Sequence, residues 1–316
     1  MPGARGRQEQ PPVVHAVAGA IAGCVSRFVV GPLDVIKIRF QVQVEPIAAG
    51  APGAGSKYTG IAQAFKAILR EEGIQGLWRG TVPGQLLSVP YTAVQFVALQ
   101  ECKAVAERLG LQGSPPWVSF LSGGLAGAAA TIASYPFDLL RTTLAAQGEP
   151  KVYSGMIDAA RKIVEVRGMP GLYMGLGVTL MEIFPYSAIT FGSYDYFNAV
   201  WTSRVGSKDG SPSTLQTFMC GLMAGIVAKL VTAPLDVAKK RYQVAGLKRS
   251  IQYGKRIEPK AVQNLAICFT ELYKQEGLAG LWKGSLPNIL KAGPAAAVTF
   301  LSYEFVLRHL LVGRQG

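Results

Sequence analysis

Six stretches of the chain are apolar over the length a membrane-crossing helix needs, about 20 residues. They run 13–42, 82–108, 116–145, 177–203, 214–244 and 286–311. Two uncharged runs, 81–100 and 111–137, announce themselves. Each of the other four stretches is interrupted near its middle by one charge, Arg27, Glu182, Lys229 or Lys291, which hydropathy alone undervalues. Shorter amphipathic segments lie between the long ones at 58–72, 153–167 and 261–276. In the first, Ile61, Phe65, Ile68 and Leu69 follow a helical period while Lys66 and Arg70 turn elsewhere, the pattern of a helix lying along a membrane surface. Segments 44–56, 204–213 and 246–259 read as loops from their Pro, Gly, Ser and charge content.

Repetition organises this pattern. Pro32-Leu33-Asp34-Val35-Ile36-Lys37-Ile38-Arg39-Phe40-Gln41 returns as Pro136-Phe137-Asp138-Leu139-Leu140-Arg141 and as Pro234-Leu235-Asp236-Val237-Ala238-Lys239-Lys240-Arg241-Tyr242-Gln243. Gly19 and Gly23, Gly123 and Gly127, and Gly221 and Gly225 stand at fixed distances before the motif prolines, a small-residue spacing that lets helices approach closely in lipid. Gly80, Pro90 and Phe96 recur as Gly175, Pro185 and Phe191, and again as Gly284, Pro294 and Phe300. The stretch from Glu72 to Gly80 returns closely from Glu276 to Gly284, while the middle copy, from Arg167 to Gly175, lacks the acid and the final base. The prediction is a triplicated all-α membrane protein: a flexible N-terminus over 1–12, then repeats over 13–110, 111–210 and 211–316 forming one transport domain, each with two spans and one short amphipathic helix.

Composition supports membrane residence, with 49% hydrophobic and 16% charged residues against about 25% charged in soluble domains. The net charge of +13 is dispersed over segment ends and loops without a compact recognition element, so it suits anionic lipid or an anionic solute rather than nucleic acid. Cys24, Cys102, Cys220 and Cys268 have neither CxxC spacing nor neighbouring His and read as free thiols. Residues 1–12 show no apolar run followed by a cleavage site, so no secretory signal is expected. His15 and His309 are the only histidines, and neither a phosphate loop nor a nucleophile elbow nor a metal-ligand spacing occurs. An enzyme, a metal site and a cofactor are therefore not expected.

Charges inside lipid must face protein or water and find partners. Three copies about a pseudo-threefold axis form a ring in which Asp34 meets Arg141, Asp138 meets Lys239 and Asp236 meets Lys37, with the motif prolines drawing the odd spans together. Neutralisation within one helix at a three-residue spacing is the alternative, but it leaves three copies unexplained. In motifs, repeats and six spans the whole chain resembles the mitochondrial carrier family. That resemblance implies six tilted helices around a cavity, three matrix-side short helices and both termini facing the intermembrane space. It also implies solute exchange by alternating access at the inner membrane, contact with inner-membrane lipid including cardiolipin, and a monomer. The ring becomes the matrix gate, with Gln41 and Gln243 as braces. The second repeat carries Ala145 at the brace step and Thr143 in place of a second base, so the ring is expected to be weakest there.

A second ring on the even spans, closing the cytoplasmic side in the family, is poorly kept here: Lys103 with Asp195 is the one full ion pair, and Asn198 with Glu304 a possible hydrogen bond. This predicts an outward-open resting state. Arg27, Thr131 and Lys229 stand five residues before their motif prolines, and Leu87, Glu182 and Lys291 seven after their repeat glycines. In the family, these even-span positions match points that select substrate. Three cations answer a solute of two or more negative charges. Leu87, Ile183, Pro90, Tyr91 and Tyr186 supply surface for a ring. Glu182 has two readings, a contact to a basic heterocycle on the solute or a partner for Lys229 or Lys291. A phosphorylated, ring-bearing solute fits both ends, and coenzyme A or an adenine nucleotide would satisfy the same cations.

Overall fold

The computed structural model of the chain describes residues 12–45, 56–109, 116–205, 213–247, 257, 262 and 264–312. Among them run α1 (Pro12–Val42), α2 (Ile61–Glu72), α3 (Thr81–Leu86), α4 (Ser88–Arg108), α5 (Pro116–Ala146), α6 (Met156–Arg167), α7 (Leu176–Val205), α8 (Thr214–Val244), α9 (Leu265–Gly280) and α10 (Ser285–Val312). The expected N-terminal tail lies outside the described residues except for Pro12, as do most of the expected loops. The second long stretch is divided at Leu87, where Pro90 leaves the Leu86 carbonyl without its amide partner although Leu87 stays helical (φ −53°, ψ −35°). Three described segments are long and apolar enough to cross a membrane: Val17–Val42, Met169–Arg204 and Leu215–Val244. This reverses the ranking expected from charge alone. The uncharged run 81–100 is not among them, because Gln, Ser, Thr, Pro and Gly dilute its apolar residues.

The short helices begin three or four residues later than their periodicity suggests. Gly60 and Gly155 are extended at the first two starts, and the Asn264 side chain caps the third by accepting from the Ala266 amide at 3.2 Å. Tyr58 and Tyr153 are held outside the helix by glutamines at the ends of α1 and α5. Gln43 accepts from the Tyr58 amide at 2.9 Å and donates to its carbonyl at 3.0 Å, and Gln147 does the same for Tyr153 at 2.9 and 3.1 Å. Burial pushes the Tyr58 hydroxyl up to about 12, against the pull of Arg39.

The long helices form a closed ring in which the second span of each repeat packs most extensively on the first span of the next: α4 on α5, α7 on α8, and α10 on α1. The first spans α1, α5 and α8 also touch one another. Glycine makes the seams possible. Gly80, Gly175 and Gly284 open the second spans with φ of 83°, 85° and 79°. A Cβ on Gly80 would lie 2.5 Å from the Arg141 carbonyl oxygen, and one on Gly284 3.0 Å from that of Lys37. The earlier glycines behave otherwise. Gly19, Gly23, Gly123, Gly221 and Gly225 have nothing within reach of a Cβ, and Gly127 only Ile183, so the close approach expected at that spacing is absent. Close contact occurs instead where the first spans meet lower down.

Each motif proline frees the carbonyl four residues before it. The indole N–H of Trp78 donates to Phe28 at 2.7 Å and that of Trp282 to Leu230 at 2.9 Å, satisfying two of those carbonyls. In the second repeat, Tyr173 stands at this place and stacks on Tyr135 instead. On the outer surface, Phe96, Phe191 and Phe300 are all more than half exposed, consistent with a lipid-facing ring.

Beneath the ring lie two charge clusters. Glu72 takes Arg39 and Arg79, and Glu276 takes Arg241 and Lys283, with both carboxylates fully buried. The cations also hold the carbonyls at the ends of neighbouring helices. Arg39 donates to Ala145 and Gln147, both at 3.0 Å, and Arg241 and Lys283 donate to Gln43 at 3.2 and 2.9 Å. In the second repeat the acid is replaced by Arg167 and the bases by Thr143 and Met174. Arg167 takes over the helix-end role, donating to the Ala245 carbonyl at 2.6 Å. Glu276→Gln, which leaves two cations without their counter-charge, is expected to destabilise the protein by about 3–5 kcal/mol. Asp158→Asn, at an exposed pair with Lys162, should leave thermal unfolding unchanged; scanning fluorimetry of the solubilised protein compares them.

Candidate functional site

Where α1, α5 and α8 converge, the three motif acids meet bases from neighbouring repeats. Arg141 reaches Asp34 at 2.6 Å, Lys37 reaches Asp236 at 2.7 Å and Lys239 reaches Asp138 at 2.9 Å. No acid pairs within its own helix among these contacts, since the 3.6-residue turn aims Asp and base at different neighbours. Gln41 donates to Asp236 at 3.3 Å and Gln243 to Asp138 at 2.9 Å. Pairs of this kind persist in a low-dielectric interior only where each charge is met and hydrogen-bonded.

The third pair is built differently. Ala145 offers Asp34 no amide, but Lys291 from α10 lies 2.5 Å from the second carboxylate oxygen. The seam expected to be weakest therefore carries an extra cation. The sequence pattern sets Lys291 in the cavity above; the length and flexibility of the lysine stem let its ammonium end on Asp34 at the ring. Lys240 is a further addition, 3.6 Å from Asp138 and donating to Thr142 at 2.8 Å and Gln243 at 3.0 Å. Its doubled lysine, absent from the other copies, was the signal.

Above the ring, Glu182 on α7 is buried and 3.3 Å from Lys229 on α8, whose ammonium also stands 4.4 Å from the centre of the Tyr186 ring. This is the ion-pair arrangement of Glu182. Arg27 donates to the Gly84 carbonyl at 2.6 Å, and the Thr131 hydroxyl bonds back to Gly127 at 2.7 Å. Leu87 is half-buried at the α3–α4 break. Ile183 lies against α5 at Gly127 rather than standing free.

At the opposite end the contacts expected of a second ring are not made. Lys103 and Asp195 are exposed, and no ion pair joins them among the described residues. Asn198 accepts from Gln216 at 2.7 Å instead of meeting Glu304, which pairs with Arg308 one turn on at 3.7 Å. These side chains are solvated or paired along their own or an adjacent helix, which lowers the need for partners across the bundle.

A ring of apolar helices tied at one end by ion pairs, with no matching ties at the other among the described residues, suits a transporter. The family model for "Mitochondrial carrier protein" matches residues 8–109, 112–205 and 210–313. The chain belongs to the mitochondrial carrier family, a transporter rather than an enzyme, and is a multi-pass protein of the mitochondrial inner membrane. It is 48% identical over 315 residues to the mitochondrial thiamine diphosphate carrier 2 of Zea mays, covering 93% of each chain. It is 48% identical over 309 residues to carrier 1 of Arabidopsis thaliana, covering 92% of each. Against the human mitochondrial thiamine pyrophosphate carrier the identity is 39% over 292 residues, covering 92% of this chain and 90% of the relative.

Gln243→Ala removes a short hydrogen bond to a charged acceptor and is expected to cost about 1.5–3 kcal/mol of stability, more than Gln41→Ala with its longer contact. Thermal unfolding in detergent measures the order; an equal loss from both substitutions would remove geometry as the cause.

Proposed function

We propose that the protein exchanges thiamine diphosphate for nucleotides or phosphates across the inner membrane by alternating access, with Asp34, Lys37, Asp138, Arg141, Asp236 and Lys239 as the gate on the matrix side. The observation that carries this reading is the charge pattern at and above the ring: Arg27, Lys229 and, on the ring itself, Lys291 for a diphosphate, and Glu182 for a basic heterocycle. The names of the relatives supply the same solute. In the structure Lys229 and Lys291 rest on Glu182 and Asp34, so an entering diphosphate exchanges carboxylate partners for phosphate ones. Thiamine diphosphate is then cargo, not a cofactor.

In this reading six spans cross the bilayer, the three short amphipathic helices lie on the matrix face, and both termini face the intermembrane space. The unmade contacts of Lys103, Asp195, Asn198 and Glu304 make the structure the outward-open state, and these residues form the cytoplasmic gate in the opposite one. The protein works as a monomer in contact with cardiolipin. The pocket at the start of α6, lined by Ser154, Gly155, Met156, Ile157, Asp158 and Arg161, offers a lipid phosphate one basic side chain, Arg161, beside the Asp158 carboxylate.

Purified protein in liposomes loaded with thiamine diphosphate should take up labelled thiamine diphosphate only against a counter-solute. ADP or coenzyme A out-competing it would make the protein a nucleotide or coenzyme A carrier, and uptake into empty liposomes would make it a channel. Glu182→Gln is expected to weaken thiamine diphosphate about tenfold, the scale of one lost charged hydrogen bond, while sparing ADP. Equal losses in the competition assay would leave Glu182 as a partner of Lys229 alone.

A further inference from the structure

We infer that Lys291 is a latch shared by cargo and gate: its ammonium holds Asp34 in the one ring pair without a glutamine brace, and an anionic group of the solute releases the gate by taking that ammonium away. The inference rests on the functional reading above and adds to it the residue that couples binding to opening.

The three acids are held unequally. Asp138 has Lys239, Lys240 and Gln243, and Asp236 has Lys37 and Gln41, with every one of these partners on a first span. Asp34 alone is held by a second span, through Lys291 at 2.5 Å, beside Arg141 at 2.6 Å. At the positions equivalent to Lys291 stand Leu87, which cannot donate, and Glu182, which cannot hold a carboxylate, so the tie exists at one seam.

The cations of that seam are also the more exposed ones. The Arg141 and Lys291 side chains are both 27% exposed, against 12% for Lys37 and 14% for Lys239. Where a brace would stand there is a cavity of about 20 Å³, room for roughly one water, bordered by Asp34, Arg141, Ala145 and Arg27. The cavity is too small for a phosphate, but one held by Arg27 at its border brings more charge and more acceptor oxygens than the single carboxylate that Lys291 now faces. It would draw the lysine upward towards Arg27 and leave Asp34 with Arg141 alone. A ligand shifts a conformational equilibrium only by binding the two states differently. Here the difference is the Lys291–Asp34 contact, lost in one state and replaced by phosphate.

If cargo and Asp34 compete for Lys291, removing the competitor strengthens binding. The test is calorimetric titration of the full-length protein in nanodiscs with thiamine diphosphate, and in parallel with ADP. Asp34→Asn, Asp138→Asn and Asp236→Asn should all lower the unfolding temperature, but only Asp34→Asn should bind more tightly, by about fivefold, the factor a modest ion pair withholds. Adding Lys291→Ala should abolish that gain. Should Asp34→Asn fail to fold, Ala145→Gln decides the matter: it offers Asp34 an amide that competes with the ammonium and should tighten binding severalfold, at some cost in stability because Ala145 is buried beside room for about one water. Equal tightening in all three Asp variants, weaker binding in Asp34→Asn, or a gain that survives Lys291→Ala overturns the latch. Wild-type protein that binds ADP but not thiamine diphosphate would overturn the solute reading, and the same comparison made with ADP would then decide the latch.

Discussion

Three buried ion pairs between neighbouring repeats are the constraint from which the rest of the molecule follows. A charge withdrawn from water inside an apolar bundle is costly unless a partner meets it, and here every partner comes from another repeat. The first spans must therefore converge at one level, and the motif prolines let them bend to do so. Convergence in turn forces the second spans to start hard against the next repeat, and Gly80, Gly175 and Gly284 stand where any Cβ would strike the neighbouring helix. At the other end Lys103 and Asp195 are exposed and unpaired with each other among the described residues.

The floor is supported from below by a second use of the same chemistry. Glu72 and Glu276 each gather two cations, which also satisfy carbonyls at the end of an adjacent helix. The middle repeat abandons this cluster as a unit. Arg167, Thr143 and Met174 replace acid, base and base together, because keeping any one of them would leave a buried charge unmatched. Arg167 nevertheless preserves the helix-end contact by reaching Ala245. Departures from threefold symmetry are thus compensated locally rather than tolerated.

Asymmetry in the cavity serves a different end. The threefold pattern is broken at equivalent positions by cations at Arg27, Lys229 and Lys291 and one acid at Glu182, the asymmetry on which the proposed recognition of a charged, ring-bearing solute rests. Lys229 and Lys291 are met by Glu182 and Asp34 and Arg27 by the Gly84 carbonyl, which lowers the cost of keeping them buried.

Much of this was legible in the linear pattern. Two periods, the helical one within spans and the longer one between repeats, determined six long segments, three short ones and the equivalence of Asp34, Asp138 and Asp236, because equivalent positions in a repeated fold face the same way. That equivalence also identified Lys37, Arg141 and Lys239 as the partners. What only the tertiary structure decided were the contacts that break symmetry: Lys291 on Asp34 rather than free above it, Glu182 on Lys229, Lys240 beside Asp138, Asn198 on Gln216 and the empty space around Gly19 and Gly23. The reason is geometric. A repeat specifies where a side chain begins, but a long flexible side chain ends on whichever opposite charge the folded packing brings within reach, and that distance is not written in any one helix.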